Sequence, residues 1–293
     1  MSLIGTLTSG VSAMESFEQG LSVIGNNIAN VNTTAFKSGS TSYADSFSNI
    51  LQSSTPAPGT GSGSSTNTIE IGTGVAVSGV STNFSQGSLT STGVPSDLAV
   101  SGNGFFVVRD PSDGAEYATR AGNFSIDSNG YLVTSQGFRV QGLTGGSASG
   151  APATLGDIKL GTPPTGTQLQ SYTIDGSGNF VESYSDGSTA TTNQVLLQNF
   201  QNPSALTSIA GNLYSGMAAA SPVSGSTTLS AAANTAGTGG LGAVQSGALE
   251  LSNVDLTTEF ANLITTQRSF EAGSRLITVS DTILEDIVNM KTH

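Results

Sequence analysis

The chain has 293 residues, enough for two domains or three small ones and for a buried core without covalent staples. Eight Lys and Arg against twenty Asp and Glu leave a formal charge of -12, which repels phosphate backbones and anionic surfaces and argues against nucleic-acid binding. There is no cysteine and the only histidine is the terminal His293, which removes thiolate zinc sites, cysteine nucleophiles and an internal histidine base, and with them most hydrolase chemistry.

Residues 1 to 36 contain no Lys or Arg, so the positive start of a secretory signal peptide is missing, and no apolar run reaches the length of a membrane span. The expectation is a chain that does not insert in membranes and leaves the cell, if it does, without a cleavable signal. Proline is absent before Pro56 and after Pro222, so both ends are free to be helical. At the N-terminus Leu7, Met14, Leu21 and Ile28 recur every seven residues, with Leu3, Phe17 and Ile24 in the second slot and Gly10 completing it. This seam predicts a helix over residues 2 to 31, roughly 45 Å long. Residues 52 to 68, rich in Ser, Thr, Gly and Pro, read as an arm, taken with what precedes them as an extended linker over 37 to 68.

Between 69 and 247 the period changes to short strands with glycine turns. Gly104 to Val108, Phe124 to Ile126, Tyr131 to Val133 and Gln194 to Gln198 read as strands, and Asp113-Gly114, Asn129-Gly130 and Asp186-Gly187 as hairpin turns. A second soft stretch, 218 to 240, leads back to the C-terminal zone. There Leu249, Leu256, Leu263, Phe270, Ile277 and Leu284 stand at strict sevens, flanked by Phe260, Gly273, Ser280 and Ile287, over a predicted helix from 250 to 290, roughly 60 Å long. Ser252 and Asp255 form a capping-box-like start. The fold class expected is α+β: residues 1–36 with 248–293 as a coiled-coil-like helical domain, and an all-β domain inserted between them.

Candidate chemistry dissolves on inspection. Asp127 to Gly130 lacks the further oxygen ligands of a calcium loop, Gly102-Asn103-Gly104 runs into Phe105 and Phe106 where a phosphate loop needs a helix start, and Asp110 and Asp113 sit in a turn. Arg109, Arg120 and Arg139 are expected in surface ion pairs. No catalytic, cofactor or metal site is expected. Glu15 and Glu18, on a helix without basic residues, are candidates to face Arg268 or Arg275 of the same or an adjacent subunit.

The segment Asn26, Asn27, Ile28, Ala29, Asn30, Val31, Asn32, Thr33, followed by Phe36-Lys37, resembles the N-terminal signature of the rod and hook family of bacterial flagellar axial proteins. Gln86 to Leu89, Asp97 to Val100, Gly104 to Phe106, Thr119 to Gly122, Asn129 to Val133 and the block from Leu249 through Gln267-Arg268 to Asp281 agree in order. Ala35 departs from the family's usual Gly. Lys37 to Gly39, Tyr43 to Phe47, Tyr172 to Gly176 and Val195 to Phe200 are most similar to hook subunits, in a short form. The resemblance implies a structural, self-polymerising subunit of a helical tube, a torque-transmitting hook, with a distal rod subunit as the alternative. It further implies flagellar type III export to an extracellular position, and as partners the chain itself, a distal rod protein, the hook cap and hook-filament junction proteins. From the residues alone, an adhesin carried on a coiled-coil stalk competes with this reading.

Overall fold

A computed structural model describes residues 3–54, 67–145, 154–161 and 166–291. The chain is α+β and divides into two compact units: one formed by 1–29, 39–82 and 255–293, the other by 30–38 and 83–254.

The first unit holds helix α1 (Leu3–Ala29), strands β1 (Gly39–Asp45), β2 (Ser48–Gln52), β3 (Ile69–Gly72) and β4 (Val75–Thr82), and the C-terminal helix, α3 below (Leu256–Lys291). The segment 37–68, expected as an extended arm, instead enters two antiparallel ladders as far as it is described. β1 pairs with β4 from Gly39 opposite Thr82 to Asp45 opposite Val75, and β2 pairs with β3. Its Ser- and Gly-rich composition hid strands that bury little of themselves and are held by ladder hydrogen bonds and by packing on α1. Ser16 Oγ donates to the Val75 carbonyl, Ser9 Oγ to that of Thr73, and Phe17 meets Tyr43 edge to face. The remainder of the expected arm, 55–66, lies outside the described residues.

The second unit is a β body. Its strands are β5 (Leu89–Ser91), β6 (Leu98–Ser101), β7 (Phe105–Arg109), β8 (Glu116–Thr119), β9 (Ser125–Ile126), β10 (Leu132–Val133), β11 (Arg139–Thr144), β12 (Thr154–Asp157), β13 (Leu169–Ile174), β14 (Asn179–Tyr184), β15 (Thr189–Val195), β16 (Leu197–Gln198), β17 (Thr207–Ile209), β18 (Leu213–Ser215), β19 (Ala243–Ser246) and β20 (Ala248–Glu250), with a single helical turn, α2 (Ala231–Asn234). The main sheet runs β13-β14-β15-β11-β7-β8-β18-β17, and β6 with β19 and β5 with β20 form separate pairs. β7 is buried on both faces, which is why it reads as an unbroken apolar run. Phe106 and Val108 join one core with Leu98, Phe124, Leu132, Val140 and Phe180, while Phe105 and Val107 join another with Leu196, Phe200 and Tyr214.

The sequence boundaries shift at both junctions. α1 stops at Ala29, and Asn30 to Thr33 turn back, with the Thr33 N–H on the Asn30 carbonyl and the Thr33 hydroxyl on Asn30 Oδ1. The C-terminal helix begins at Leu256, later than predicted, because Asp255 caps it. Its Oδ1 accepts the Thr257 N–H at 2.9 Å, its Oδ2 the Thr258 hydroxyl at 2.9 Å, and these bonds hold its carboxyl below the usual range. Residues 248–250, expected in the helical domain, are strand β20 of the β body, with Leu249 opposite Thr90.

Candidate functional site

Within the first unit α1 and α3 pack antiparallel. Asn27 Nδ2 donates to Glu259 Oε1 at 3.0 Å near one end, and the Thr6 and Ser280 hydroxyls lie 3.4 Å apart near the other. Two glycines stand where the partner helix leaves little room for a side chain. A Cβ on Gly10 would stand 3.1 Å from Ile277 Cγ1, and one on Gly273 3.1 Å from Met14 Cγ. The positions fully buried on this pair are small or polar, Gly10, Ser16, Gly20, Asn27, Gly273 and Ser280, whereas Leu7, Met14, Phe17, Leu21, Ile24, Ile28, Leu263, Phe270 and Ile277 are half-buried. Asn27, within the 26–33 motif, also clamps the start of β1, giving and receiving a hydrogen bond with the Gly39 backbone at 2.8 and 2.9 Å.

Three expected seam positions fall elsewhere. Leu249 lies in β20, and Leu256 and Leu284 are exposed; the side chain of Leu3 is outside the described set. The strict seven-residue count ran past the cap at Asp255 into a strand, where helical spacing has no meaning. Away from α1, α3 shows a band of exposed apolar side chains, Phe260, Ile264, Leu276, Val279, Ile283 and Ile287, and the β2–β3 ribbon shows Phe47, Ile50, Leu51 and Ile69. Apolar surface on this scale marks contact with other molecules. Glu15, Glu18, Arg268 and Arg275 are exposed, and none belongs to an ion pair among the described residues.

The β body contains a buried charge cluster that the sequence did not announce. Glu250 of β20 is shielded from solvent and accepts Lys37 Nζ at 2.7 Å, the Gly87 N–H at 2.8 Å and Arg120 Nη1 at 3.3 Å. Lys37 also donates to the Ser85 carbonyl, and Arg120 to those of Gly102 and Val100, while Arg120 Nε has no partner. Burial lowers both cations from their ordinary pKa, with Glu250 pulling the other way. Around the cluster the Ala35 N–H bonds to the Glu250 carbonyl and Asn253 Nδ2 to the carbonyls of Asn83 and Ser85. Three stretches remote in sequence, 35–38, 83–87 and 250–253, are thus tied at one point. Arg120 was expected on the surface; it is buried because the β20 carboxylate meets it across β6. The one signal available was that Lys37 is the sole basic residue before Arg109.

Arg109 and Arg139 do form a partly exposed pair of bridges, both to Asp157, at 2.7 and 3.0 Å. Burial raises the Asp157 carboxyl, but the bonds from Gln141, Arg139 and Arg109 outweigh it and leave it below the usual value. Asp127 spends Oδ1 on the N–H groups of Asn129 and Tyr131, the arrangement of a turn. Among the described residues no three His, Cys, Asp or Glu stand together as metal ligands, and no helix is long and apolar enough to cross a membrane.

A pair of long helices, the second with an unpartnered apolar face, and a β body inserted between them in the chain, defines a structural subunit made to pack beside other molecules. Family models agree along the chain: flagella basal body rod protein over residues 7–37, flagellar hook protein FlgE/F/G D1 domain over 99–192, and flagellar basal body rod FlgEFG protein C-terminal over 245–290. The chain is 40% identical over 289 residues to the flagellar basal-body rod protein FlgG of Bacillus subtilis, covering 99% of this chain and 100% of that one. It is 34% identical to the FlgG of Caulobacter vibrioides, with 97% of each covered. The flagellar hook protein FlgE of Helicobacter mustelae is 41% identical over 140 residues, 48% of this chain and 31% of its own length. The chain belongs to the family of bacterial flagellar rod and hook axial proteins, and is a structural component of the flagellar axis.

Proposed function

We propose that this chain is a distal rod subunit, polymerising with itself into the tube that carries torque from the motor to the hook. The observation that carries the reading is the end-to-end similarity to rod proteins, 99% of this chain against 100% of the Bacillus protein, where the hook relative is matched over less than half of this chain and under a third of itself. A hook subunit, the first reading from the sequence, is the second reading here, favoured by the 41% identity over 140 residues to the Helicobacter hook protein. The β body supports the rod: residues 83–254, with 30–38, make a single compact unit.

In the mechanism we propose, the exposed faces of α1, α3 and the β2–β3 ribbon bury themselves against neighbouring copies. Each contact joins one surface of a subunit to a different surface of the next, so growth does not close on itself. The charge cluster at Glu250 ties the chain segments bounding the β body, so that load applied through the backbone meets a fixed core. Delivery by the flagellar type III export apparatus belongs to the same proposal, as does a place next to hook subunits. Gold-labelled antibody on isolated hook–basal bodies tests it. Label on the straight shaft below the hook is expected, and label along the curved hook overturns the rod assignment in favour of the second reading.

A further inference from the structure

The basic residues of the helix pair all stand on α3, and α1 is purely acidic. α1 carries Glu15 and Glu18 and no Lys or Arg, whereas Arg268 and Arg275 stand on α3. All four are exposed and outside every ion pair of the described residues. At about 100° per residue, Arg268 and Arg275 lie about 20° apart on one side of α3, and that side is roughly opposite Gly273 and Ile277, which face α1. Ile264 and Val279, both exposed, flank them, and with Glu271 between them the stretch from 264 to 279 is net positive, while Asp286 stands on the same side about three turns beyond Arg275. Glu15 and Glu18 lie about 60° apart on the exposed side of α1, with the small or short Val11, Ser22 and Gly25, which allow close approach.

Two copies can bring these faces together in three ways. α1 against α1 collects four carboxylates, and α3 against α3 collects four guanidinium groups. Only α1 against α3 is complementary, and it also covers the Ile264 and Val279 side chains. We infer that the Glu15–Glu18 face of α1 docks on the Arg268–Arg275 face of α3 in a second copy of this chain. The inference rests on the polymer reading above and names its contact. Because the two faces differ, the contact is head-to-tail, and a joined pair keeps one free face of each kind for the next copies. Exposed charges of this sort set register and encounter rate more than strength.

The test uses two full-length variants, Arg268→Glu with Arg275→Glu, and Glu15→Lys with Glu18→Lys, with polymerisation followed by light scattering and sedimentation. Each variant alone places like charges in the contact, and the concentration needed for polymer should rise about tenfold or more. Mixed one to one, they should recover to within about twofold of wild type. The basic α1 of one then meets the acidic α3 of the other, and the unaltered faces meet as before. Either variant polymerising alone like wild type, or a mixture that stays impaired, overturns the contact while leaving the polymer reading intact. Wild-type protein that never polymerises overturns both.

Discussion

Glu250→Gln isolates what the buried cluster contributes, since the amide keeps the shape and an acceptor but removes the one negative charge between two buried cations. The folded protein can then keep Lys37 charged beside Arg120 or release its proton. Release at pH 7, against an ordinary value of 10.5, costs about 3.5 pH units at about 1.36 kcal/mol each, or about 4.8 kcal/mol, which caps the share of the loss that Lys37 carries. The expected destabilisation is about 3–5 kcal/mol, the range for removing one partner of a buried pair. The sign of its pH dependence follows. With the folded Lys37 pKa pushed further down, the unfolded chain binds the extra proton, so stability should rise with pH at up to about 1.4 kcal/mol per unit, recovering roughly 3 kcal/mol between pH 7 and 9.5. Wild type, whose Lys37 is lowered by burial but supported by Glu250, should gain less. Urea unfolding followed by tyrosine fluorescence reads this well, because there is no tryptophan and five of the six tyrosines lie in the β body. Adding Lys37→Met to both backgrounds completes a cycle whose coupling should be at least about 2 kcal/mol. A Glu250→Gln protein within 1 kcal/mol of wild type, or one with no alkaline gain, would refute the reasoning.

Tyr214, pushed up to about 12 chiefly by burial and next by the Glu250 charge, and Tyr184, pushed up to about 12 by burial and its bond to Glu182, should ionise last in an ultraviolet titration of the native chain. Both values are raised, so the stability they contribute is complete below pH 10 and drains away between pH 10 and 12; Tyr214→Phe should flatten its share of that loss, and an unchanged profile contradicts the assignment. Ala35 has φ of 56° and no exposed surface, so Ala35→Gly trades relieved strain against a lost methyl and should shift stability by under about 1 kcal/mol, whereas Ala35→Val should cost about 2–3 kcal/mol in thermal melts. Gly273→Leu should part α1 from α3 and lower helix content by circular dichroism; Gly5→Ala, with open space where its Cβ would stand, should leave it unchanged.

The α+β division was readable because it rests on local period: sevens at the ends, and short apolar runs between turn signals in the middle. β7 came within a residue of its expected span, and Asn129-Gly130 sits at the tight turn foreseen for it. What escaped was non-local. The β1–β4 ladder joins Gly39 to Thr82 through strands with little apolar content, and Lys37 meets Glu250 across 213 positions. The helix seam was found by its large side chains, yet Gly10 and Gly273 also lie in it, and their importance lies in a missing Cβ that spacing alone does not reveal. Leu249 shows the opposite failure, a heptad position that a cap and a strand took out of the helix.

Electron microscopy of the purified chain, before and after salting-out, tests the central claim most directly. Straight, rigid tubes with a central channel are the result the rod reading predicts. Curved or supercoiled tubes would restore the hook, and discrete closed particles under every condition would contradict the account of this chain as an axial, self-polymerising subunit.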